Sequence, residues 1–99
     1  MNSIKIVTIC GSMKFKKEMM QIVEELELKN GYAVIQCIYG SNYAKEDEKK
    51  LEKIHFKKIN ISDAIYVVNV NGYIGDATKK EIEYAKSLQK EILSLKPLD

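Results

Sequence analysis

The chain switches between a two-residue and a 3.6-residue hydrophobic period from one end to the other, and this alternation limits the fold more than any other feature. Ile4–Cys10 reads IKIVTIC, a β-branched apolar run that leads into Gly11-Ser12. From Phe15 the spacing changes. Phe15, Met19, Ile22, Val23 and Leu26 form the stripe of an amphipathic helix, which Asn30-Gly31 stops. Tyr32–Ile38 (YAVIQCI) reads as a second strand, and Tyr39–Asn42 as loop. Ala44–Asn60 is a charged helix with Leu51, Ile54, His55 and Ile59 on its apolar side. Ala64–Val70 (AIYVVNV) is a near-continuous apolar strand, as expected for burial on both faces. Asn71–Ala77 reads as loop, and Thr78–Gln89 as a helix with Ile82, Ala85 and Leu88 inward. Glu91–Leu95 is a short last strand before Pro97.

Strands separated by helical crossovers imply a parallel sheet with right-handed connections. The expectation is one α/β domain over residues 1–99. It is a small Rossmann- or flavodoxin-like three-layer sandwich, with a four-stranded parallel sheet in order 2-1-3-4 and helices on both faces. Ligands of such folds sit beyond the carboxyl ends of the strands. That rule selects Cys10–Met13, Tyr39–Asn42 and Asn69–Glu81 as the segments that can carry function.

Composition narrows the partners. Sixteen Lys against fourteen Asp and Glu leave a net charge of +2, too even for nucleic acid as the main partner. No Arg is present, so any phosphate is held by backbone N–H groups, hydroxyls or Lys. Two Cys (Cys10, Cys37) and one His (His55) are too few for the usual Cys/His zinc site, so no metal and no cofactor are expected. No apolar run nears the ~20 residues of a membrane helix, and Ile4–Cys10 lacks a following cleavage site. The expectation is a soluble cytoplasmic protein with free thiols and no membrane partner.

Several residues admit both a functional and a purely structural role. Gly11-Ser12 opens a helix after strand 1, where unpaired N–H groups welcome an anion; equally, Ser12 caps a tight turn. The run from Asn69 to Thr78 is longer than the usual connection of about 2–6 residues, which suggests a loop over a ligand rather than a turn at Asn71-Gly72. Thr78-Lys79-Lys80-Glu81 fits a capping box, in which Glu81 only bonds back to the cap. The alternative turns Glu81 into the cleft, where a carboxylate can capture an anomeric carbon. His55 is either a hydrogen-bonded boundary residue or a catalyst. Asp63 reads as a turn residue, the Lys49–Lys57 face as solvated, and Met13, Met19 and Met20 as packing.

Three stretches together carry a resemblance: Cys10-Gly11-Ser12, Ile61–Asn69 (ISDAIYVVN), and Gly72–Ala85 (GYIGDATKKEIEYA). They resemble the nucleoside 2-deoxyribosyltransferase superfamily, which includes deoxynucleoside 5′-monophosphate N-glycosidases. The most specific part is E-x-x-x-A, from Glu81 to Ala85, after a Gly-bearing loop. The resemblance implies cleavage or transfer at the N-glycosidic bond of a deoxynucleoside or its 5′-monophosphate, through a deoxyribosylated Glu. It implies Glu81 as nucleophile, with His55 where relatives carry an Asp that assists the leaving base, and Asp76 near a further acid. It matches Gly11 and Ser12 to the loop that lines the sugar or its 5′-phosphate, and the segments beyond the strand ends add Cys10, Met13, Asn69, Gly72, Tyr73, Gly75 and Thr78 as expected substrate contacts. Lys14, Lys16 and Lys17 stand where some members carry arginines. A nucleoside or nucleotide is the expected partner, with a homodimer or higher homo-oligomer as the assembly. Two other readings stay open: a non-catalytic nucleotide-binding or regulatory module, and cleavage of the ribosyl–nicotinamide bond of NAD.

Overall fold

A computed structural model describes residues 3–98. Four strands, β1 (Ile6–Gly11), β2 (Ala33–Ile35), β3 (Ala64–Val68) and β4 (Glu91–Ser94), form one parallel sheet in the order β2-β1-β3-β4. Helices α1 (Lys16–Leu28), α2 (Lys45–Asn60) and α3 (Asp76–Ser87) connect them. The fold is the expected α/β three-layer arrangement. No helix among the described residues is long and apolar enough to cross a membrane.

The two-residue period of β1 sorts its side chains onto two cores. Ile9 packs with Phe15, Met19, Ile22, Val23 and Leu26 under α1. Cys10, its neighbour, packs with Ile59, Ile82 and Ala85 under α2 and α3. In β3, Ile65 and Val67 join the second core and Val68 the first, so this strand is buried on both faces as its composition predicts. The α1 stripe is the one read from the spacing. Its stop also holds: Gly31 takes φ +70, and the Tyr32 N–H donates back to the Leu26 carbonyl at 3.1 Å.

A buried polar knot ties β1 to the end of α2. Thr8 Oγ1 and Ser62 Oγ lie 2.6 Å apart, and both hydroxyls reach the Lys58 carbonyl, at 3.1 and 2.7 Å. Asp63 makes the expected turn more rigid by accepting the Ile6 N–H at 2.8 Å.

Among the boundaries that differ from the sequence reading, four have a local or tertiary reason. Phe15 belongs to a 3-10 turn, Met13–Phe15, where the Lys14 N–H donates to Ser12 Oγ at 3.3 Å, so Ser12 is a cap. β2 stops at Ile35 and not Ile38, because among the described residues it pairs with β1 alone, and that pairing ends at Thr8. β3 stops at Val68, and the chain turns through a short 3-10 segment, Val70–Gly72, with Asn71 and Gly72 at φ 54 and 80. α3 starts at Asp76 and not Thr78, since the Gly75 carbonyl already accepts the Lys79 N–H at 3.0 Å.

Asn69 has a structural task. Its amide donates to the Lys96 carbonyl at 3.0 Å and accepts the Lys96 N–H at 2.8 Å, clamping the segment after β4 to the end of β3. Asn69 is buried, so loss of this clamp leaves unpaired groups that cost about 1–3 kcal/mol each. Asn69→Ala is therefore expected to lower unfolding stability by about 2 kcal/mol in urea titration while leaving ligand binding unchanged.

Candidate active site

A cavity of about 620 Å³ opens beyond the carboxyl end of β1, between residues 37–43, the inner face of α2 and the first turns of α3. Glu81 is on its wall. The early start of α3 decides this. With Gly75 as N-cap, Thr78 falls inside the first turn, 3% exposed, where its hydroxyl is no cap. The capping box is thus not formed. Thr78, Ile82 and Ala85 make the buried stripe of α3, and Glu81 sits at its edge, facing β1 and α2.

Three chemically active groups converge there. Glu81 Oε2 is 3.7 Å from His55 Nε2, and Cys10 Sγ is 3.5 Å from the same nitrogen. The sulfur, the nitrogen and a carboxylate oxygen all lie within 4.8 Å of one another, which is the disposition of a set of metal donors. Both side chains of the His–Glu pair are mostly enclosed, with 11% and 17% of their surfaces exposed.

Enclosure sets the protonation states. Burial pushes the Glu81 carboxyl up to about 7; hydrogen bonding from the Cys10 thiol opposes this weakly, and the Glu52 charge adds to it. Burial also holds the His55 imidazole down to about 4, with Lys58 contributing. The Cys10 thiol is pushed well up by burial first and by Glu81 second. At neutral pH the imidazole and the thiol are therefore uncharged, and the His55–Glu81 contact is a polar contact with a neutral ring, not an ion pair. At the outer end, burial raises the Cys37 thiol, and burial together with Cys37 takes the Tyr39 hydroxyl up to about 12.

Most residues expected to bind or act reach the cavity. Cys10, Gly11, Ser12, Met13, His55, Gly75, Asp76, Thr78 and Glu81 line it. Gly11 has a packing reason as well: a Cβ there would meet the Val68 carbonyl oxygen at 3.1 Å, so glycine lets β1 lie against β3. Asn69, Gly72 and Tyr73 are not among the lining residues. Gly72 makes the left-handed turn. Tyr73 meets the Phe15 ring edge-on at 5.8 Å, with the Lys14 ammonium 3.4 Å from its centroid. The extra loop length is used for this stack and turn, away from the ligand space.

The cavity also recruits residues that the sequence reading did not single out for a functional role. Cys37, Ile38, Tyr43, Leu51, Glu52, Ile54 and Lys58 line it. Leu51, Ile54, His55 and Lys58 follow a helical stripe, so the period carried a signal; that the stripe borders a cavity instead of the core depends on the neighbouring chain. Ile54, expected inward, is 43% exposed. No protein-family model matches the chain, and no curated protein matches it.

The pKa shifts give opposite linkage signs. Glu81 titrates higher in the folded state than its ordinary 4.5, so its stabilising contribution is complete below 4.5 and is lost as pH rises through about 7. His55 titrates lower than its ordinary 6.5, so its contribution is complete above 6.5 and is lost as pH falls through about 4. Relative to the parent, Glu81→Gln is expected to gain about 2–3 kcal/mol between about pH 4 and about pH 8, and His55→Gln to lose its disadvantage at acid pH. Urea unfolding across that range measures both slopes.

Proposed function

We propose that this protein is an N-deoxyribosyl hydrolase or transferase of the nucleoside 2-deoxyribosyltransferase superfamily, acting on deoxynucleosides or their 5′-monophosphates. One observation carries the reading: the Glu81 carboxylate borders an open cavity instead of folding back onto its own helix. Its volume, about 620 Å³, is ample for a nucleoside.

In this mechanism the ionised Glu81 attacks C1′ as the N-glycosidic bond breaks, forming a glycosyl ester. Water then releases the sugar, or a second base accepts it. Glu52, whose charge acts on Glu81 from α2, lines the same cavity and is assigned to take a proton from solvent and pass it to the departing base. Neutral His55, 3.7 Å from the Glu81 carboxylate, bounds the space that carboxylate can occupy. Asp76, at the start of α3, is positioned to accept a hydrogen bond from a sugar hydroxyl. The base stacks among Ile38, Tyr43, Leu51 and Ile54, the apolar side of the cavity. A reducing cytoplasm suits the two free thiols.

Incubation with a panel of deoxynucleosides, their monophosphates and NAD, followed by chromatography for free base, tests this. Glu81→Gln is expected to lower base release by on the order of 10³-fold or more. Glu52→Gln is expected to cost about 10²–10⁴-fold. Mass spectrometry of the quenched parent should find a deoxyribosyl adduct on Glu81. Unchanged turnover in Glu81→Gln removes the nucleophile assignment. Thermal shifts with nucleotides but no free base would favour the nucleotide-binding module instead.

The same reading includes a homo-oligomer. Ile38, Tyr43 and Ile54 at the cavity lip are 54%, 37% and 43% exposed, an apolar rim that a second copy would cover. Light scattering is expected to report a mass at least twice 11.4 kDa, and a plain monomer at low concentration rejects it.

A further inference from the structure

We propose that Cys10, His55 and Glu81 form a three-point binding site for a zinc-class divalent cation, with its fourth coordination position open to the cavity. The proposal does not rest on the glycosidic reading. It rests on how closely the donor atoms approach one another.

Cys10 Sγ and Glu81 Oε2 approach the same ring nitrogen, His55 Nε2, at 3.5 and 3.7 Å. A nucleophile–base–orienter relay needs the two partners on opposite nitrogens of the imidazole. Here they share one, so the three groups surround a common point. Tetrahedral zinc, with Zn–S of about 2.3 Å and Zn–N or Zn–O of about 2.0–2.2 Å, places S and N about 3.5 Å apart and N and O about 3.4 Å apart. The first edge of the triangle already has that length. The second needs a few tenths of an ångström of closure, and all three donors lie within 4.8 Å.

The donors come from three elements, β1, α2 and α3, so the sheet and both helices preorganise them. Cys10 is 1% exposed and His55 9%, which leaves Glu81, at the cavity edge, as the ligand that adjusts. Two Cys and one His cannot close a four-ligand structural site. A mixed S, N, O set of three is instead the composition of an open one. Binding balances simply: the metal displaces the proton of the Cys10 thiol, and that of Glu81 where it is present, and no oxidant or reductant takes part. The metal would occupy the Glu81 carboxylate, so a bound cation and a glycosyl–Glu81 ester exclude one another.

Cobalt(II) added to the chelator-treated full chain is the probe. The expected result is a thiolate-to-cobalt charge-transfer band with tetrahedral visible absorption, both reversed by zinc, and proton release on zinc binding. Cys10→Ser should abolish the charge-transfer band. His55→Gln should weaken binding by about 100-fold or more, since even an outer-shell partner is worth about 10–100-fold. Cys37→Ser should keep the band. No spectral change in the parent, octahedral absorption without a thiolate band, or loss of the band in Cys37→Ser instead of Cys10→Ser overturns the site. If His55→Gln does not fold, the two cysteine variants and the proton count still decide it. These readouts are independent of base release, so the failure of either proposal leaves the other to be judged separately.

Discussion

The parallel ladder between β1 and β3 is the constraint on which the molecule depends. Val7 to Gly11 pair in register with Ala64 to Val68, five successive residues on each side, and Val7–Cys10 and all of Ala64–Val68 except the half-buried Tyr66 are buried. Buried backbone groups must be paired, so this ladder cannot slip without exposing them or turning both cores inside out. The site inherits that rigidity. Cys10 is the penultimate residue of β1, and α3 begins a short distance after β3 ends. Gly11 permits the close strand approach because anything larger would press on the Val68 backbone.

Burial then governs the chemistry. The same enclosure that stabilises Ile59 and Ile82 removes water from Glu81 and His55, and a charged form is disfavoured wherever water is lost. A carboxyl near 7, an imidazole near 4 and a high thiol result from one cause acting on three groups. Above neutral pH the folded state keeps an ionised Glu81 that unfolding would relieve. Such a group lowers stability where it is ionised.

Much of this was legible along the chain. The stripe Met19, Ile22, Val23, Leu26 and the run Ile65–Val68 report their burial through spacing alone, because a regular helix or strand repeats its environment at a regular interval. The strand order is expected from the flavodoxin-like arrangement that four strands and three helices suggest. Boundaries were less legible. Thr78-Lys79-Lys80-Glu81 matches a cap, yet Gly75 opens the helix earlier, and that shift of a few residues turns Glu81 from a capping residue into a cavity wall. Asn69 and Tyr73 look like ligand contacts in a loop. Their partners, Lys96 and the Phe15–Lys14 pair, are both distant in sequence, so no local pattern names them.

Sequence by itself determined the parallel α/β sandwich, its two cores and the end of the sheet where ligand chemistry can occur. Local period, turn residues and the handedness of the chain suffice for those. Tertiary structure alone decided that Cys10, His55 and Glu81 meet, that Glu52 lines the same cavity, and that residues 37–43 contribute another of its walls. Forty-five residues separate Cys10 from His55. A separation of that size becomes a contact of a few ångströms only through packing of α2 and α3 against β1, and no local pattern encodes a distance between elements.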